Sequence, residues 1–330
     1  MMDRRKNIFN KNENLKTMNT HVKKLIALAC LITGLSLNKA NAQYDPLFTQ
    51  YMFNETFINP AYAGSRDVIS ATALYRNQWV GMEGAPKTQT LSIHGPVKNK
   101  KIGLGLSFMN ESIGVEKKVG FFTNYAYRIQ TSENGRLAFG LQAGLIHMRE
   151  NYLDVVTHDP NDVQFSQNVT KLVPNAGFGI YYNSKRFYAG FSIPRLVENY
   201  IDSLNGGDIK NRISQRSFHY FLTSGYVFDV SPEIKLKPMT MIRASDGATI
   251  QADISLAAYF NEVFWIGLTY RTAAAASVYA QINITKQLRL GYSYDYTTNR
   301  LNKYNSGTHE ITLGYDFPLQ KTGVLTPRFF

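Results

Sequence analysis

From about residue 67 the chain alternates with period two. In "RLAFGLQAGLIHM" (136–148), Leu137, Phe139, Leu141, Ala143 and Leu145 fall on one face, while Arg136, Ala138, Gly140, Gln142 and Gly144 fall on the other. "TIQADISLAAYF" sets Ile250, Ala252, Ile254, Leu256, Ala258 and Phe260 against Gln251, Asp253, Ser255 and Tyr259. "QLRLGYSYDYT" sets Leu288, Leu290, Tyr292, Tyr294 and Tyr296 against Arg289, Gly291, Ser293 and Asp295. Alternation of this kind marks strands that have one apolar and one polar face. Soluble sandwiches and lipid-embedded barrels share it, and three features separate them. The apolar faces are large and end in aromatics, the polar faces carry Gly, Ser, Asn, Gln and scattered charge, and many segments reach the roughly 9–11 residues a tilted membrane strand needs.

Fourteen segments qualify, near 67–78, 87–94, 100–110, 117–130, 136–148, 174–183, 185–193, 216–229, 233–243, 248–260, 263–272, 275–284, 287–298 and 307–317. The even-numbered links between them are short. The long links, above all 149–173 and 194–215 with 79–86 and 299–306 intermediate, fall at odd positions. Short turns on one rim and long loops on the other are the signature of outer-membrane barrels. Lipid offers no hydrogen bonds to a free strand edge, so the sheet must close. The pattern therefore predicts an all-β fold, a transmembrane antiparallel β-barrel of about 14 strands over 67–318. With a periplasmic N-terminus the long loops face outward. Pro238 lacks a ladder donor and predicts a bulge or a shortened strand.

Ahead of the barrel, Lys23 and Lys24 precede the apolar run "LIALACLITGLSL" and an A-x-A pattern at Ala40-Asn41-Ala42. Residues 1–42 read as a signal peptide cleaved after Ala42, with Met18 a candidate true start. The single cysteine, Cys30, lies inside the run and does not fit a lipoprotein signal. Cleavage leaves a chain without cysteine, which excludes disulfides and thiolate metal sites. It also lowers the formal net charge from +12 to +6. With no basic block interleaved with aromatics, nucleic acid is not expected as a partner.

The search for chemistry yields little. His94, His147, His158, His219 and His309 show no triad spacing, and Ser217 with His219 on one strand face is a chance-level pair. "DVVTHDPND" (154–162) gathers Asp154, His158, Asp159 and Asp162 but lacks the Gly and Glu of a calcium loop, which leaves a solvated outer loop. "GLGLS" (103–107) opens no helix and reads as small residues on a barrel face. No cofactor or metal is expected. Parity is more informative, turning Arg76, Arg128, Lys235, Lys237, Arg243, Asp253, Arg271, Arg289, Asp295, Glu310 and Asp316 inward. Mixed signs suit a narrow or plugged lumen better than a charge-selective pore.

The plug candidate is the aromatic stretch "DPLFTQYMFNETFINPAYAGSRD" (45–67). Asp45-Pro46 would cap and open a short helix over "LFTQYMF", and Asn59-Pro60 and Ala63-Gly64 would add turns. Its aromatics must pack in the periplasmic mouth or against a partner.

The same stretch, followed by "LYRNQWVGMEGAPKTQTLSIHGPV", strongly resembles the PorP/SprF family of Bacteroidetes outer-membrane proteins. The carrying residues are Pro46, Phe48, Gln50, Tyr51, Asn59, Pro60, Tyr62, Gly64, Arg76, Gln78, Trp79, Gly84 and Pro86. "DPND", "GYSYDY" and the closing "PRFF" are similar too, and "GYDFPL" is similar to a barrel-assembly signal followed by a further tail, 319–330. The resemblance implies a role in type IX secretion, with secreted cargo bearing a C-terminal sorting domain, periplasmic secretion components and outer-membrane lipid as partners. Support of a gliding-motility adhesin belongs to the same implication. Expected binding positions are Phe48, Gln50, Tyr51, Asn59, Pro60, Tyr62 and Gly64 in segment 43–66. At the lumen or rim they are Arg76, Trp79, Arg128, Arg243, Asp253, Arg271, Arg289 and Asp295. A passive uptake channel for a hydrophobic or small polar solute is the competing function, and a barrel enzyme such as a lipid hydrolase is the third.

Overall fold

Strand alternation becomes a closed wall in the computed structural model, which describes residues 48–97, 100–155, 167–202, 208–213, 218–246 and 248–317. The signal peptide, Asp45, Pro46, Ser217, the core of the 154–162 loop and the "PRFF" tail lie outside the described residues. The strands are β1 (Ile69–Asn77), β2 (Lys87–Val97), β3 (Ile102–Ile113), β4 (Glu116–Gln130), β5 (Arg136–Glu150), β6 (Val169–Asn183), β7 (Phe187–Ile193), β8 (Val197–Asp202), β9 (Asp208–Ile213), β10 (His219–Tyr226), β11 (Phe228–Asp229), β12 (Ile234–Ser245), β13 (Gln251–Phe260), β14 (Phe264–Arg271), β15 (Ala275–Asn283), β16 (Leu288–Thr297) and β17 (Thr308–Phe317).

Sequential neighbours pair antiparallel from β1 to β7 and from β12 to β17, while β10 joins β7 to β12 and β1 joins β17. Since β10 and β11 are one strand interrupted at Val227, and β8–β9 pair only with each other, the wall has fourteen strands. The β8–β9 hairpin lies where the sequence pattern gives only a long loop. β5 and β6 run on to Glu150↔Val169, so the 149–173 link contracts to 151–168. No helix among the described residues is long and apolar enough to cross a membrane, so the crossing is made by strands.

Burial inverts the order of a water-soluble protein. Leu91, Leu104, Leu106, Leu141 and Leu268 are exposed on the outside, and charged and hydroxyl side chains are buried inside. Exposed aromatics collect toward both strand ends, with Tyr75, Tyr270 and Tyr296 toward the long-loop rim and Tyr127, Phe139, Phe264 and Phe317 toward the short-turn rim. These are the girdles of a membrane barrel.

Pro238 produces neither a bulge nor a short strand. Gly225↔Met239 and Phe228↔Leu236 keep one register across the interruption at Val227. The Val227 amide donates to Arg186 O on the other side (2.7 Å). The missing proline donor is thus absorbed as a gap in the neighbouring strand, while β12 runs unbroken through Pro238.

Candidate functional site: the occupied lumen

Residues 48–66 lie inside the barrel, and Phe48, Thr49, Gln50, Tyr51, Ala61 and Ala63 are at most 2% exposed. The helix expected over "LFTQYMF" is replaced by three 3₁₀ turns, Tyr51–Phe53, Glu55–Phe57 and Pro60–Tyr62. An α-helix would gather its apolar side chains on one stripe, whereas this segment meets wall on every side. Phe48 packs edge-on to Phe57 at 5.5 Å, Phe57 to Phe122 at 6.0 Å, Phe53 to Trp265 and Tyr279 at 6.3 Å, and Tyr62 to His94 and Tyr181 at 5.2 and 5.3 Å. Short turns broken at Asn54 and Asn59 allow this spread. Asn59 accepts from Ala61 N (2.9 Å) ahead of Pro60, closing the third turn, and donates to Ile180 O (3.0 Å). The segment is also not confined to the periplasmic mouth. It reaches from Arg66 at the short-turn end of β17 to Thr49 beside the long-loop ends of β1 and β16.

A line of wall glycines lets the backbone of the segment touch the sheet. A Cβ on Gly103 would sit 1.9 Å from Ala63 O, one on Gly140 would sit 2.1 Å from Ala61 N, and one on Gly179 would sit 2.0 Å from Asn59 Oδ1. Gly64 has φ +76°, a conformation that favours glycine, and its amide donates to His94 Nδ1 (3.1 Å). The "GLGLS" glycines are therefore seats for the segment as well as small lumen residues.

Charge fixes both ends. Toward the long-loop rim Arg76 bridges Asp295 (2.8 Å) and Glu310 (3.0 Å). Glu310 accepts from the amides of Thr49 (3.1 Å) and Gln50 (2.7 Å), while the Thr49 hydroxyl donates to Asp295 (2.7 Å). Gln50 donates to Glu310 O (3.2 Å) and accepts from the Thr312 hydroxyl (2.9 Å). Beside them Asp253 is shared by Arg243 (2.9 Å) and Arg271 (3.0 Å), and Arg271 reaches Phe48 O at 3.4 Å.

Toward the short-turn rim Asp316 pairs with Arg289 (2.8 Å) and Arg66 (3.1 Å). Asp67 binds Arg136 (2.9 Å), Arg128 (3.4 Å) and Lys100 (3.3 Å). Burial pushes the Asp67 carboxyl up, but Arg136, Arg128 and Lys100 outweigh it and hold it below the usual carboxylate range. At mid-depth Glu55, on the second turn, is buried at 4% exposure. The Lys237 ammonium stands 5.0 Å over the Tyr188 ring.

The parity reading thus places its charges inside, except that Lys235 is half-buried at the short-turn rim against Glu262 (3.4 Å). Trp79 sits in the β1–β2 loop with φ +48°, its amide donating to Thr308 (3.1 Å), apart from the lumen groups. Sequence reasoning missed Thr49, Asn54, Glu55, Phe57, Arg66 and Asp67. The one available signal for Glu55 was a lone acid among aromatics. Tyr51 lies in the apolar cluster with Met239, Tyr259, Trp265 and Tyr279. Among the described residues no His, Cys, Asp and Glu group could hold a metal.

The family described as "Type IX secretion system membrane protein PorP/SprF" matches residues 40–315. A comparison with curated proteins finds no match. Among solved structures, the Acinetobacter baumannii outer membrane protein Omp33 is 8% identical over 76% of this chain and all of its own, with a TM-score of 0.44. A Pseudomonas aeruginosa FadL homologue is 11% identical over 84% and 96%, at 0.45. The CymD monoaromatic hydrocarbon channel is 10% identical over 80% and 92%, at 0.47. Likenesses at this level carry no functional argument.

Proposed function

The chain belongs to the PorP/SprF family of type IX secretion system membrane proteins, and on that premise we propose that this outer-membrane barrel is a closed, non-enzymatic adaptor. It would support secretion or surface attachment of cargo such as a gliding-motility adhesin. One observation carries the reading: residues 48–66 fill the lumen and are tied at one end by the Arg66–Asp316 ion pair and at the other by the Thr49 and Gln50 amides donating to buried Glu310. A barrel so filled has its partner-binding surface on its rims. The long-loop rim, including 149–173 and 194–215, would face outward and engage a cargo's C-terminal sorting domain. The short-turn rim, where segment 43–66 meets the wall at Arg66, would face periplasmic secretion components.

The test is deletion of the gene and complementation with full-length protein, scored by profiling secreted and surface proteins. Loss of a defined cargo set and its recovery on complementation is the expected result. An unchanged profile would overturn the proposal. Purified barrel in a planar bilayer should also be silent, whereas steady conductance with solute uptake would favour the passive channel.

A further inference from the structure

On the lipid side of the barrel, charge is confined to one place. Among the described wall-strand residues of outward parity there is no Asp or Glu, and the only Lys or Arg are Lys87, Lys117 and Arg149. The ladder sets all three in one exposed rung at the long-loop rim, Asn77↔Lys87↔Ser112↔Lys117↔Arg149. One rung toward the membrane, Tyr75 of the aromatic girdle faces Gln89, which accepts from Asn110 (3.2 Å). One rung further the surface is apolar, at Leu91, Phe108, Phe121 and Leu145. At about 3.4 Å rise per residue and a tilt of about 40°, Arg149 stands roughly 10 Å beyond Leu145, at headgroup depth.

The rung also opens onto a cleft of about 510 Å³. Asn77, Lys87, Ser112 and Lys117 line its barrel side, and the β1–β2 loop from Trp79 to Ala85 lines the other. That loop is pinned, with the Val80 amide donating to Gly307 O (2.8 Å) and the Gly114 amide donating to Gly84 O (2.8 Å). Glu83 is the one acid among the described lining residues. The other acids of this rim, Glu111, Glu116 and Glu150, have inward parity, and Glu116 holds Lys118 (2.6 Å). The outward face therefore carries three cations against one carboxylate.

We infer that this cleft and its rung bind the phosphorylated headgroup of a membrane lipid. Lys87 and Lys117 stand two strand spacings apart, about 9–10 Å, with Ser112 between them. A phosphate over Ser112 would accept from both ammoniums and from the hydroxyl. Arg149, whose Nε donates to Asn151 (2.8 Å), would add its two terminal nitrogens from the next strand. The acyl chains would continue down the strip of Leu91, Phe108, Phe121 and Leu145. Only the identity of the leaflet, the outer one, rests on the orientation proposed above; the site is independent of the secretion role.

The experiment titrates the full-length mature barrel in detergent with phosphorylated lipid A and with the same lipid after dephosphorylation, counting bound lipid by native mass spectrometry. The dephosphorylated lipid should bind at least about tenfold more weakly. At roughly fivefold per cation, Lys87→Gln/Lys117→Gln/Arg149→Gln should weaken binding of the phosphorylated lipid on the order of 100-fold. Lys185→Gln/Lys286→Gln, at exposed positions on the short-turn rim, should leave it unchanged. Inorganic phosphate in large excess should not displace the lipid.

Heat-modifiable mobility on gels reports folding of each variant, and the two lipids compared on the wild-type barrel decide the matter if the triple variant fails to fold. Equal binding of the two lipids, undiminished binding in the folded triple variant, or an equal loss in the short-turn control would overturn the assignment. So would a wild-type barrel that binds no phosphorylated lipid, or ready displacement by inorganic phosphate, which would make this a site for the free anion. Binding in detergent does not depend on orientation, which surface labelling of the long loops in cells tests separately.

Discussion

Putting side chains on the glycine seats tests directly whether residues 48–66 close the barrel. In Gly103→Val/Gly140→Val the new Cβ atoms would lie 1.9 Å from Ala63 O and 2.1 Å from Ala61 N. Ordinary contact begins near 3.4 Å, so about 1.3–1.5 Å of movement is required. The wall cannot yield, because Gly140 is laddered to Ala126 on β4 and Gly179 on β6. The segment must move instead. A shift of that size breaks Asn59 Nδ2 to Ile180 O (3.0 Å), the Ser192 hydroxyl to Ile58 O (2.9 Å) and Gly64 N to His94 Nδ1 (3.1 Å). At roughly 1 kcal/mol each, plus about 1–3 for overpacking, the seat loses on the order of 4–6 kcal/mol. Single-channel recording in planar bilayers should then show conductance where the wild-type barrel is silent, with heat-modifiable mobility retained. Leu141→Val, on the lipid-facing side of the same strand, serves as the control. A folded double variant that stays silent would refute the claim that this seat closes the lumen.

Two further outcomes follow from the charges. Arg76→Met strands Asp295 and Glu310 in a buried site, which should cost about 3–5 kcal/mol; the temperature at which the folded gel band is lost should drop, and adding Asp295→Asn and Glu310→Gln should restore part of it. The lowered pKa of Asp67 at the short-turn rim gives stability that is present above about pH 4 and lost as pH falls further. Protease sensitivity of the short-turn end should rise on acidification in the wild type and be high at all pH in Asp67→Asn.

The wall was legible because each strand repeats one rule. Parity alone turned Arg76, Asp253, Arg271, Arg289, Asp295, Glu310 and Asp316 inward, and lipid outside the barrel forces every strand to obey it. Parity does not supply register. Arg76 faces Glu310 directly across β1–β17, and Asp295 joins them from β16, but only the ladder reveals that these three residues meet. The N-terminal segment carries no period at all. Its path depends on where the wall is empty, and that is set by glycines on four separate strands, Gly103, Gly140, Gly179 and Gly190, that individually look like small lumen residues.

The same contrast explains why charge, rather than apolar contact, holds the ends of the segment. Aromatics such as Phe53 and Phe57 can slide against Trp265 or Phe122 with little change in buried area, so apolar packing alone would leave several axial positions nearly equivalent. Ion pairs and amide–carboxylate bonds cannot slide. Glu310 accepts from two consecutive amides, Thr49 and Gln50, and Arg66 meets Asp316 at the opposite rim, and only one placement satisfies both ends. A displaced register would take the two amide donors from Glu310 and part Arg66 from Asp316, leaving Arg76 and Arg289 as the remaining partners of those carboxylates. The mixed signs of the lumen are therefore what a self-filled barrel requires: they fix the axial position of a segment that apolar contact alone would leave free to shift.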